Sequence, residues 1–496
     1  MSCFLSIDQS TSATKAVLFS ETGRVVHREN LDHKQYYPQP GWVEHDPEEI
    51  FTNTLKVIKR VVEISEVDHD QILGIAITNQ RETVVVWDKY TGKPVYNAIV
   101  WQCNRGVSKC MELKEKGLEN SICEKTGLII DPYFSATGIA WVLDNIEGAR
   151  QKANNGRLLY GTIDSWLIWN FTGGKIHATD HSNACRTMLY NINKMCWDVD
   201  IHKELDIPVR MAPEIKFSDE IFGYTDAGGI FNRPLPIAGI LGDSHAALFG
   251  QNCFDAGMGK ATYGTGSSIM MNIGSKPVRS PEGLVTSIGY ALNSGVSYVF
   301  EGNIHCTGAT IKWLQDDLKL IKNAAETEEI ASSVTDTDGV YFVPAFTGLG
   351  APYWDNGARA LICGMSRGTS KAHVVRAALE AIAFQVKDLV DLMTQQAGIS
   401  LKELRVDGGP VRNNFLMQFQ ADVLNASINR SDIEEASALG AAFTCGLAIG
   451  IFKDLKQIED LRTVNDYITG KLAPDEIDFK YNGWKNAVKR ALLITE

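Results

Sequence analysis

Several common functional signatures are missing from this chain, and each absence narrows the choice of function. The ten Cys residues include no CxxC pair, so neither a zinc site nor a thioredoxin-like redox motif is predicted. The chain also shows no signal-peptide pattern at its start and no run of about 18 apolar residues. We therefore expect a cytoplasmic protein that does not insert into a membrane. A GxxxxGKS or GxxxxGKT segment is absent too, which excludes an ordinary P-loop nucleotide site.

Positive charge is scarce as well. The 48 Lys and Arg residues are outnumbered by 60 Asp and Glu residues, which gives a net charge of -12. No stripe of basic residues with interleaved aromatics occurs. Such a chain repels a phosphate backbone, so nucleic acid is not an expected partner.

The length and composition of the chain are typical of a large globular protein. The chain has 496 residues, of which 44% are hydrophobic and 22% are charged. Because a single core stops growing at roughly 250 to 300 residues, two large domains are expected. Strands that alternate with capped helices predict α/β layers. We place an N-terminal domain at residues 1–250 and a C-terminal domain at residues 251–496.

Two similar hairpins are predicted about 250 residues apart. In the first, apolar strands at 4–7 and 16–19 flank the small polar segment 8–14. In the second, a Thr, Gly and Ser turn after Ala261 leads into the apolar segment 269–273. This faint internal repeat indicates two similarly built lobes, and a chance match of common Gly and Ser turns is the alternative.

Further elements surround candidate ligand groups. Asp46, Pro47 and Glu49 predict a helix start with a capping-box-like acid. Strands at 72–78 and 84–87 are predicted to form a second pair, with polar residues at the point where they end.

The second half offers a place for a nucleotide. Ser370 can cap a helix that ends at Gly398. A strand at 404–406 then leads through the glycine turn 407–409 into a helix from about Asn414. A strand, glycine turn and helix in this order commonly hold a phosphate-bearing ligand.

Two segments carry side chains suited to phosphoryl transfer. The hairpin tip from Asp8 to Lys15 supplies hydroxyls, an acid and a cation, although a polar turn without a ligand fits the same residues equally well. Asp243 follows Gly242 and precedes an apolar stretch, so it suits either a helix cap or a base for a substrate hydroxyl. His245 is interpreted as structural, the commoner role of a lone His at a helix start.

The chain resembles the FGGY carbohydrate kinases from end to end. Eight stretches in the family's order carry this resemblance. They are residues 8–15, 79–83, 98–103, 131–135, 242–243, 263–266, 348–354 and 406–409. The resemblance implies two actin-like (ribonuclease H-like) ATPase lobes, with ATP bound in the cleft between them.

The nearest resemblance within the family is to members that phosphorylate glycerol. It implies ATP-dependent phosphorylation of a terminal hydroxyl of a small polyol, with glycerol converted to glycerol 3-phosphate. It also implies ATP and Mg²⁺ as cofactors and a homodimer or homotetramer. An FGGY kinase of a longer polyol or ketose, of the erythritol, xylitol, xylulose or ribulose type, is the alternative.

The resemblance also implies roles for particular residues. The polyol is expected at Arg81, Glu82, Trp101, Tyr133, Asp243 and Ser244. Asp243 is expected to act as the base, and Asp8 and Asp243 are expected to hold Mg²⁺ through water. ATP is expected at Thr11, Ser12, Lys15, Thr265, Gly308, Lys312, Gly409 and Asn413. A polyol suits this first group, because a guanidinium, carboxylates, a phenol and an indole match its hydroxyls and its carbon edge.

The chain departs from the family pattern at several positions. Ser244 stands where Gln is usual and Ser268 where an aromatic is usual, so the pocket is expected to be wider and more polar. Lys312 replaces a usual Gln and Ser10 a usual Gly, changes that leave nucleotide binding in place. Residues 226–233 lack the Lys and most of the Gly residues of a loop at which fructose 1,6-bisphosphate inhibits bacterial members, so that inhibition is not expected.

Two other classes of protein fit parts of the pattern. Chaperone ATPases and filament proteins share the implied fold and bind ATP, but they phosphorylate no small molecule. A silent polyol sensor is a third possibility, and the presence of both a base and the phosphate hairpins argues against it.

Overall fold

The protein consists of two lobes, each built around one large β-sheet with helices packed on it. The structure is a computed structural model that describes residues 2–280, 283–355, 357–430, 433, 435–462 and 466–493. Within these residues the α/β class predicted from the sequence is confirmed.

The first lobe contains a six-stranded sheet with a parallel centre. Cys3–Gln9 runs parallel to Ile72–Asn79, which runs parallel to Leu235–Gly242. The last residues of these strands, Gln9, Asn79 and Gly242, lie in register, so the segments that follow them meet at one edge. In spatial order the strands are Ile221–Thr225, Leu235–Gly242, Ile72–Asn79, Cys3–Gln9, Ala13–Ser20 and Val25–Asp32.

The second lobe repeats this arrangement in a seven-stranded sheet. Both sheets have a central hairpin, a third antiparallel strand on one side, and two parallel strands with an antiparallel edge strand on the other. The internal repeat predicted from the two hairpins is therefore present in the topology. In spatial order the strands are Val285–Leu292, Gly295–Ile304, Ser267–Gly274, Met258–Tyr263, Glu403–Gly408, Ser427–Arg430 and Asp466–Ile468.

A smaller sheet extends the first lobe and corrects one prediction. Ile72–Asn79 and Val84–Asp88 do not pair with each other, because the link between them carries the chain from the six-stranded sheet into this one. Glu82 in that link has a φ of 64°, the left-handed conformation of a sharp change of direction. The five strands are Gln35–Tyr36, Glu44–His45, Ala98–Ile99, Val84–Asp88 and Leu158–Thr162. Three further two-stranded pairs are Ala178–Asp180 with Glu214–Lys216, Tyr190–Asn191 with Cys196–Trp197, and Tyr341–Val343 with Leu361–Cys363.

The helices follow the chain in two groups. Before residue 251 the α-helices are Pro47–Ser65, Val107–Glu115, Glu119–Thr126, Ser135–Asn145, Ala149–Asn154, Ile163–Phe171, His181–Ala184, Val199–Glu204 and Asp243–Gly250. After it they are Gly308–Asp316, Glu326–Ser332, Lys371–Ala397, Asn414–Leu424, Ala436–Ala448, Leu455–Asp460 and Pro474–Leu493. Short 3₁₀ turns occupy His69–Gln71, Asn104–Gly106, Val209–Met211 and Gly409–Arg412. No helix in the described ranges is long and apolar enough to span a membrane.

The predicted helix ends are largely confirmed. Asp46 caps its helix by accepting a hydrogen bond from the Glu48 N–H at 2.9 Å. Ser370 caps Lys371–Ala397, and Gly398 ends that helix with a φ of 64°. The capping-box interpretation of Glu49 is wrong, because its carboxylate accepts from the Lys34 N–H instead.

One helix from the second half of the chain packs on the first lobe. Ala436–Ala448 lies against the six-stranded sheet and crosses the helix Asp243–Gly250. The crossing is very close, since a Cβ on Gly440 would lie 1.9 Å from the Ala246 carbonyl oxygen, and one on Gly250 would lie 2.2 Å from the Ala436 carbonyl oxygen. The buried side chains around the crossing include Phe4, Phe19, Ala76, Phe249, Leu439 and Phe443.

Candidate active site

The segments that leave the parallel strands of the first lobe bring Asp243 and Arg81 together. Asp243 is the first residue of its helix, directly after Leu235–Gly242. Its Oδ1 lies 3.1 Å from Arg81 Nε and accepts a hydrogen bond from the Ser244 N–H at 2.6 Å. The Asp243 side chain remains 38% exposed, so a ligand can still reach its carboxylate.

Arg81 belongs to a buried network of alternating charges. Its two terminal nitrogens donate to the two carboxylate oxygens of Glu301 at 2.8 and 2.9 Å. Arg186 Nη1 lies 2.9 Å from Glu301 Oε2, and Arg186 Nε donates to Glu82 Oε1 at 2.5 Å. All four side chains are nearly inaccessible to solvent. Glu301 comes from the second lobe and the other three from the first, so the network joins the lobes.

Burial and charge act in opposite directions on this network. Burial tends to raise the pKa of Glu301, but the charges of Arg186 and Arg81 outweigh burial and hold that pKa well below its usual range. Burial raises the pKa of Glu82, against the opposing effect of Arg186 and Arg81. Burial would lower the pKa of Arg81, yet Glu301, Glu82 and Asp243 raise it well above its ordinary value. Both arginines therefore stay charged in the dry interior.

Two aromatic residues flank the charged groups. The Trp101 and Tyr133 rings meet edge to face with centroids 5.4 Å apart, and both are half-buried. The Trp101 indole Nε1 donates to Thr11 Oγ1 at 2.9 Å. Burial, followed by the charge of Glu82, raises the pKa of Tyr133, so the phenol keeps its proton and can donate it in a hydrogen bond.

The first hairpin tip is shorter than the sequence suggests. The strands extend to Gln9 and from Ala13, which leaves a turn at residues 10–12 with Thr11 half-buried and Ser12 exposed. Asp8 lies in the strand, with Lys15 opposite.

Lys15 is held by acidic partners. Its Nζ lies 3.0 Å from Glu435 Oε2 and 3.8 Å from Asp8 Oδ2, and it remains 33% exposed. Burial raises the pKa of Asp8 to about 6, against the effect of Lys15 and with an additional contribution from Asp243. Asp8 and Glu435 therefore share Lys15 as a partner, and Asp243 lies close enough to Asp8 to raise its pKa.

The second hairpin is tied to a helix start. The N–H groups of Thr307 and Ala309 donate to the Thr265 carbonyl oxygen, and the Gly308 N–H donates to the Gly264 carbonyl oxygen. A Cβ at Gly308 would lie 2.7 Å from that Gly264 oxygen, so the approach requires glycine. The Thr265 side chain is exposed at the tip.

The remaining predicted nucleotide residues lie on the second lobe. Lys312 is exposed on the helix Gly308–Asp316, and Gly409 is exposed with open space where a Cβ would lie. Asn413 is already engaged at both ends of its amide, since Oδ1 accepts from the Leu416 N–H and Nδ2 donates to Thr327 Oγ1. Any contact of Asn413 with a ligand has to share these bonds.

No cluster of three or more potential metal ligands occurs among the described residues. Asp8 and Asp243 nevertheless supply the hard carboxylate oxygens that Mg²⁺ prefers. Among the described residues Asp8 has one ionic partner, Lys15 at 3.8 Å, so this carboxylate retains capacity for an ion and its waters. The two acids therefore fit a Mg²⁺ bound mainly through water.

Sequence reasoning missed Glu301, Arg186, Glu435 and Lys260. Lys260 is buried, and its Nζ donates to Thr262 Oγ1 at 3.2 Å and to Ser268 Oγ at 3.4 Å. Burial lowers the pKa of Lys260, against the effect of Asp407 and Glu301. His245, interpreted as structural, is fully buried, and burial lowers its pKa well below the ordinary value.

Two family models match the chain. The model for the FGGY family of carbohydrate kinases, N-terminal domain, matches residues 3–250, and the model for the C-terminal domain matches residues 259–449.

Curated relatives match over nearly the whole length. Glycerol kinase 2 of Thermotoga maritima is 52% identical over 492 residues, which cover 99% of this chain and 99% of that protein. The glycerol kinase of Caldanaerobacter subterraneus is 50% identical over 488 residues, covering 98% of each.

Solved structures agree in fold. The crystal structure of Plasmodium falciparum glycerol kinase with ADP has a TM-score of 0.94 at 40% identity and covers 99% of this chain and 98% of its own. Xylulose kinase of Lactobacillus acidophilus reaches a TM-score of 0.90 at 20% identity, with 100% and 98% covered.

Proposed function

The chain belongs to the FGGY family of carbohydrate kinases, and we propose that it transfers the γ-phosphoryl group of ATP to a terminal hydroxyl of glycerol. The observation that carries this proposal is the match to glycerol kinases at about 50% identity over nearly the full chain. Asp243 beside Arg81 supplies the chemistry, because a partly exposed carboxylate at the start of a helix can accept the proton of an attacking alcohol.

Glycerol is held by the groups that surround Arg81. Three of the five Arg81 N–H donors are used by Glu301 and Asp243, and two remain for substrate hydroxyls. Glu82 Oε2 and the Tyr133 hydroxyl supply a further acceptor and donor. The Trp101 ring packs on the carbon chain, and Ser244 lies beside the base.

The reaction needs one proton transfer and one phosphoryl transfer. Asp243 accepts the proton of the terminal hydroxyl of glycerol. The oxygen of that hydroxyl bonds to the γ-phosphorus of ATP, and the bond from this phosphorus to the β–γ bridging oxygen breaks. Glycerol 3-phosphate and ADP result. Phosphoryl transfer depends mainly on alignment and charge neutralisation, which the two hairpins and Lys15 provide.

ATP lies in the cleft between the lobes, with its phosphates at the two hairpins. Thr11, Ser12, Lys15 and Thr265 face its phosphates, and Gly308, Lys312, Gly409 and Asn413 surround its nucleoside. Asp8 and Asp243 would hold Mg²⁺ through water, and the ion would neutralise charge that develops on the phosphates. Residues 1–250 thus supply the polyol site, and residues 251–496 supply most of the nucleotide site. The proposed enzyme acts in the cytoplasm as a homodimer or homotetramer.

A coupled assay of ADP release with a panel of alcohols tests the proposal. Glycerol is expected to give the highest kcat/KM, and ATP turnover without an alcohol is expected to be low. A chaperone-like or filament ATPase instead gives ADP release that no alcohol stimulates, and a silent sensor gives none with any alcohol.

The half-buried Ser244 and Ser268 make a longer polyol or ketose the second candidate substrate. Small side chains at both positions would widen the substrate pocket, and one misfitted methylene-sized group changes discrimination by about 1–3 kcal/mol. Including erythritol, xylitol, xylulose and ribulose in the panel separates the two candidates. A preference for any of them over glycerol contradicts the glycerol assignment while leaving the kinase assignment intact.

A further inference from the structure

Among the residues that the structure describes, Glu301 is the one acid that forms ion pairs with both buried arginines of the site. It comes from strand Gly295–Ile304 of the second lobe, and its side chain is only 1% exposed. Its two oxygens take both terminal nitrogens of Arg81, and Oε2 also lies 2.9 Å from Arg186 Nη1. A bidentate pair of this kind fixes the plane of the guanidinium as well as its position.

The third nitrogen of Arg81 faces the base. With Nη1 and Nη2 held by Glu301, Nε is directed at Asp243 Oδ1, 3.1 Å away. The Asp243 carboxylate is therefore held at Oδ1, both by Arg81 Nε and by the hydrogen bond that this oxygen accepts from the Ser244 N–H.

We infer that Glu301 is a positioning residue through which the second lobe fixes Arg81. Arg81 in turn positions the base, Asp243, and the polyol. This inference rests on the proposed function. Glu301 does not reach the substrate itself, because the arginines cover both of its oxygens. The lobe that binds the nucleotide thereby also determines the positions of the alcohol and of Asp243. This positioning acts through Glu301 and Arg81 and does not require a bound ligand.

Charge balance supports the same role. The network holds two arginines and two glutamates, so replacing Glu301 by a neutral side chain leaves Arg81 and Arg186 with Glu82 and Asp243 as their remaining acidic partners. Arg81 is then free to rotate toward these groups, and small misplacements of a reacting group can cost about 10²-fold in rate. Arg186 retains Glu82 and Ser287 Oγ as partners, which limits the disturbance to the Arg81 side.

A double-mutant cycle tests this inference. We expect Glu301→Gln to lower kcat/KM for glycerol by about 10²-fold while the KM for ATP changes by less than about threefold. In an Arg81→Gln background the same substitution is expected to have little further effect, because the residue through which Glu301 acts is already gone. Glu301→Asp keeps the charge and is expected to recover part of the loss.

The controls separate this role from general stability. Glu380→Gln removes another buried acid of the second lobe, paired with Arg376 at 2.9 Å, and is expected to leave both KM values unchanged. Two results overturn the inference. One is that the effects of Glu301→Gln and Arg81→Gln on kcat/KM for glycerol multiply independently. The other is a Glu301→Gln enzyme whose kcat/KM lies within about twofold of that of the unmodified enzyme. If Glu301→Gln does not fold, Glu301→Asp takes its place in the cycle. Failure of the unmodified enzyme to phosphorylate glycerol instead refutes the proposed function.

Discussion

Single residues decide the chemistry of this site, and Asp243 is the most important of them. We expect Asp243→Asn to lower kcat by roughly 10²- to 10⁴-fold, because the amide keeps the shape of the carboxylate but cannot accept the proton. Glycerol affinity, measured by calorimetry, is expected to change little. Asp226→Asn, at an exposed position of the same lobe, serves as the control. A variant with near-normal turnover would remove Asp243 from the role of base.

The hydrogen bond from Trp101 to Thr11 links the polyol side of the site to the phosphate hairpin. Trp101→Phe keeps most of the packing surface and removes the N–H donor. Because such a bond contributes about 1 kcal/mol, the KM for ATP is expected to rise roughly fivefold, with a smaller change in the KM for glycerol. Trp197→Phe removes a comparable indole bond, to the Pro213 carbonyl oxygen, and should change neither constant. Equal effects of both substitutions would argue against the link.

Residues near the ends of predicted strands could be identified from the sequence, but their buried partners could not. Arg81 and Glu82 are conspicuous because two charged residues follow an apolar strand. Glu301 lies inside an otherwise uncharged strand, 220 positions from Arg81 in the chain. No local spacing reveals a pairing over such a separation, because it depends on how the two lobes face each other.

Among the helices and strands, too, features set by neighbouring residues were predictable and those set by distant segments were not. The hairpins and the Asp46 and Ser370 caps were predictable, since each depends on neighbouring residues. The strand predicted at 404–406 extends over Glu403–Gly408, so the chain turns later than the glycine turn predicted at 407–409. The pairing of Ile72–Asn79 with Val84–Asp88 was predicted wrongly. Proximity in sequence favours a hairpin, whereas each strand is stabilised by a different sheet to which distant segments contribute.

The C-terminal helix Pro474–Leu493 is anchored to Lys371–Ala397 through Asp388. This carboxylate accepts hydrogen bonds from the Tyr481 and Tyr353 hydroxyls at 2.6 and 2.9 Å and from the Trp484 indole at 2.8 Å. Burial raises the pKa of Asp388 to about 6, although the three donors act in the opposite direction.

The raised pKa of Asp388 predicts how stability changes with pH. Between about pH 4 and pH 6 the unfolded chain loses this proton while the folded chain keeps it, so the contribution of Asp388 to stability falls as pH rises. The melting temperature of the unmodified protein minus that of Asp388→Asn should therefore decrease over this range and level off above it. A difference that stays constant with pH would show that Asp388 titrates normally.

The helix that carries Asp243 depends on a close contact with Ala436–Ala448. In Gly440→Ala the new methyl group would lie 1.9 Å from the Ala246 carbonyl oxygen, so the helices must separate and move Asp243. We expect a lower melting temperature and a kcat at least about tenfold lower. Gly368→Ala is the control, because its nearest neighbouring atom is 3.6 Å away. Unchanged activity in Gly440→Ala would show that the crossing does not position the base.

At the scale of the whole molecule, the two halves matched by the family models share a buried apolar interface. Leu439 and Phe443 from the second half cover Phe4, Phe19 and Phe249 of the first. We expect residues 1–250 expressed alone to be largely insoluble, because this apolar face then meets water. Co-expression with residues 251–496 is expected to recover soluble complex and activity. Soluble, monomeric 1–250 would contradict this view.

The crossing of Ala436–Ala448 over the first lobe also bears on synthesis in the cell. The six-stranded sheet has all its strands once residue 242 has left the ribosome, but its covering helix follows nearly two hundred positions later. At about 5–20 residues per second the nascent chain spends on the order of ten to forty seconds with that surface bare. A chaperone that shields apolar segments during translation is expected to matter more for the yield of this enzyme than for a protein whose domains close in chain order.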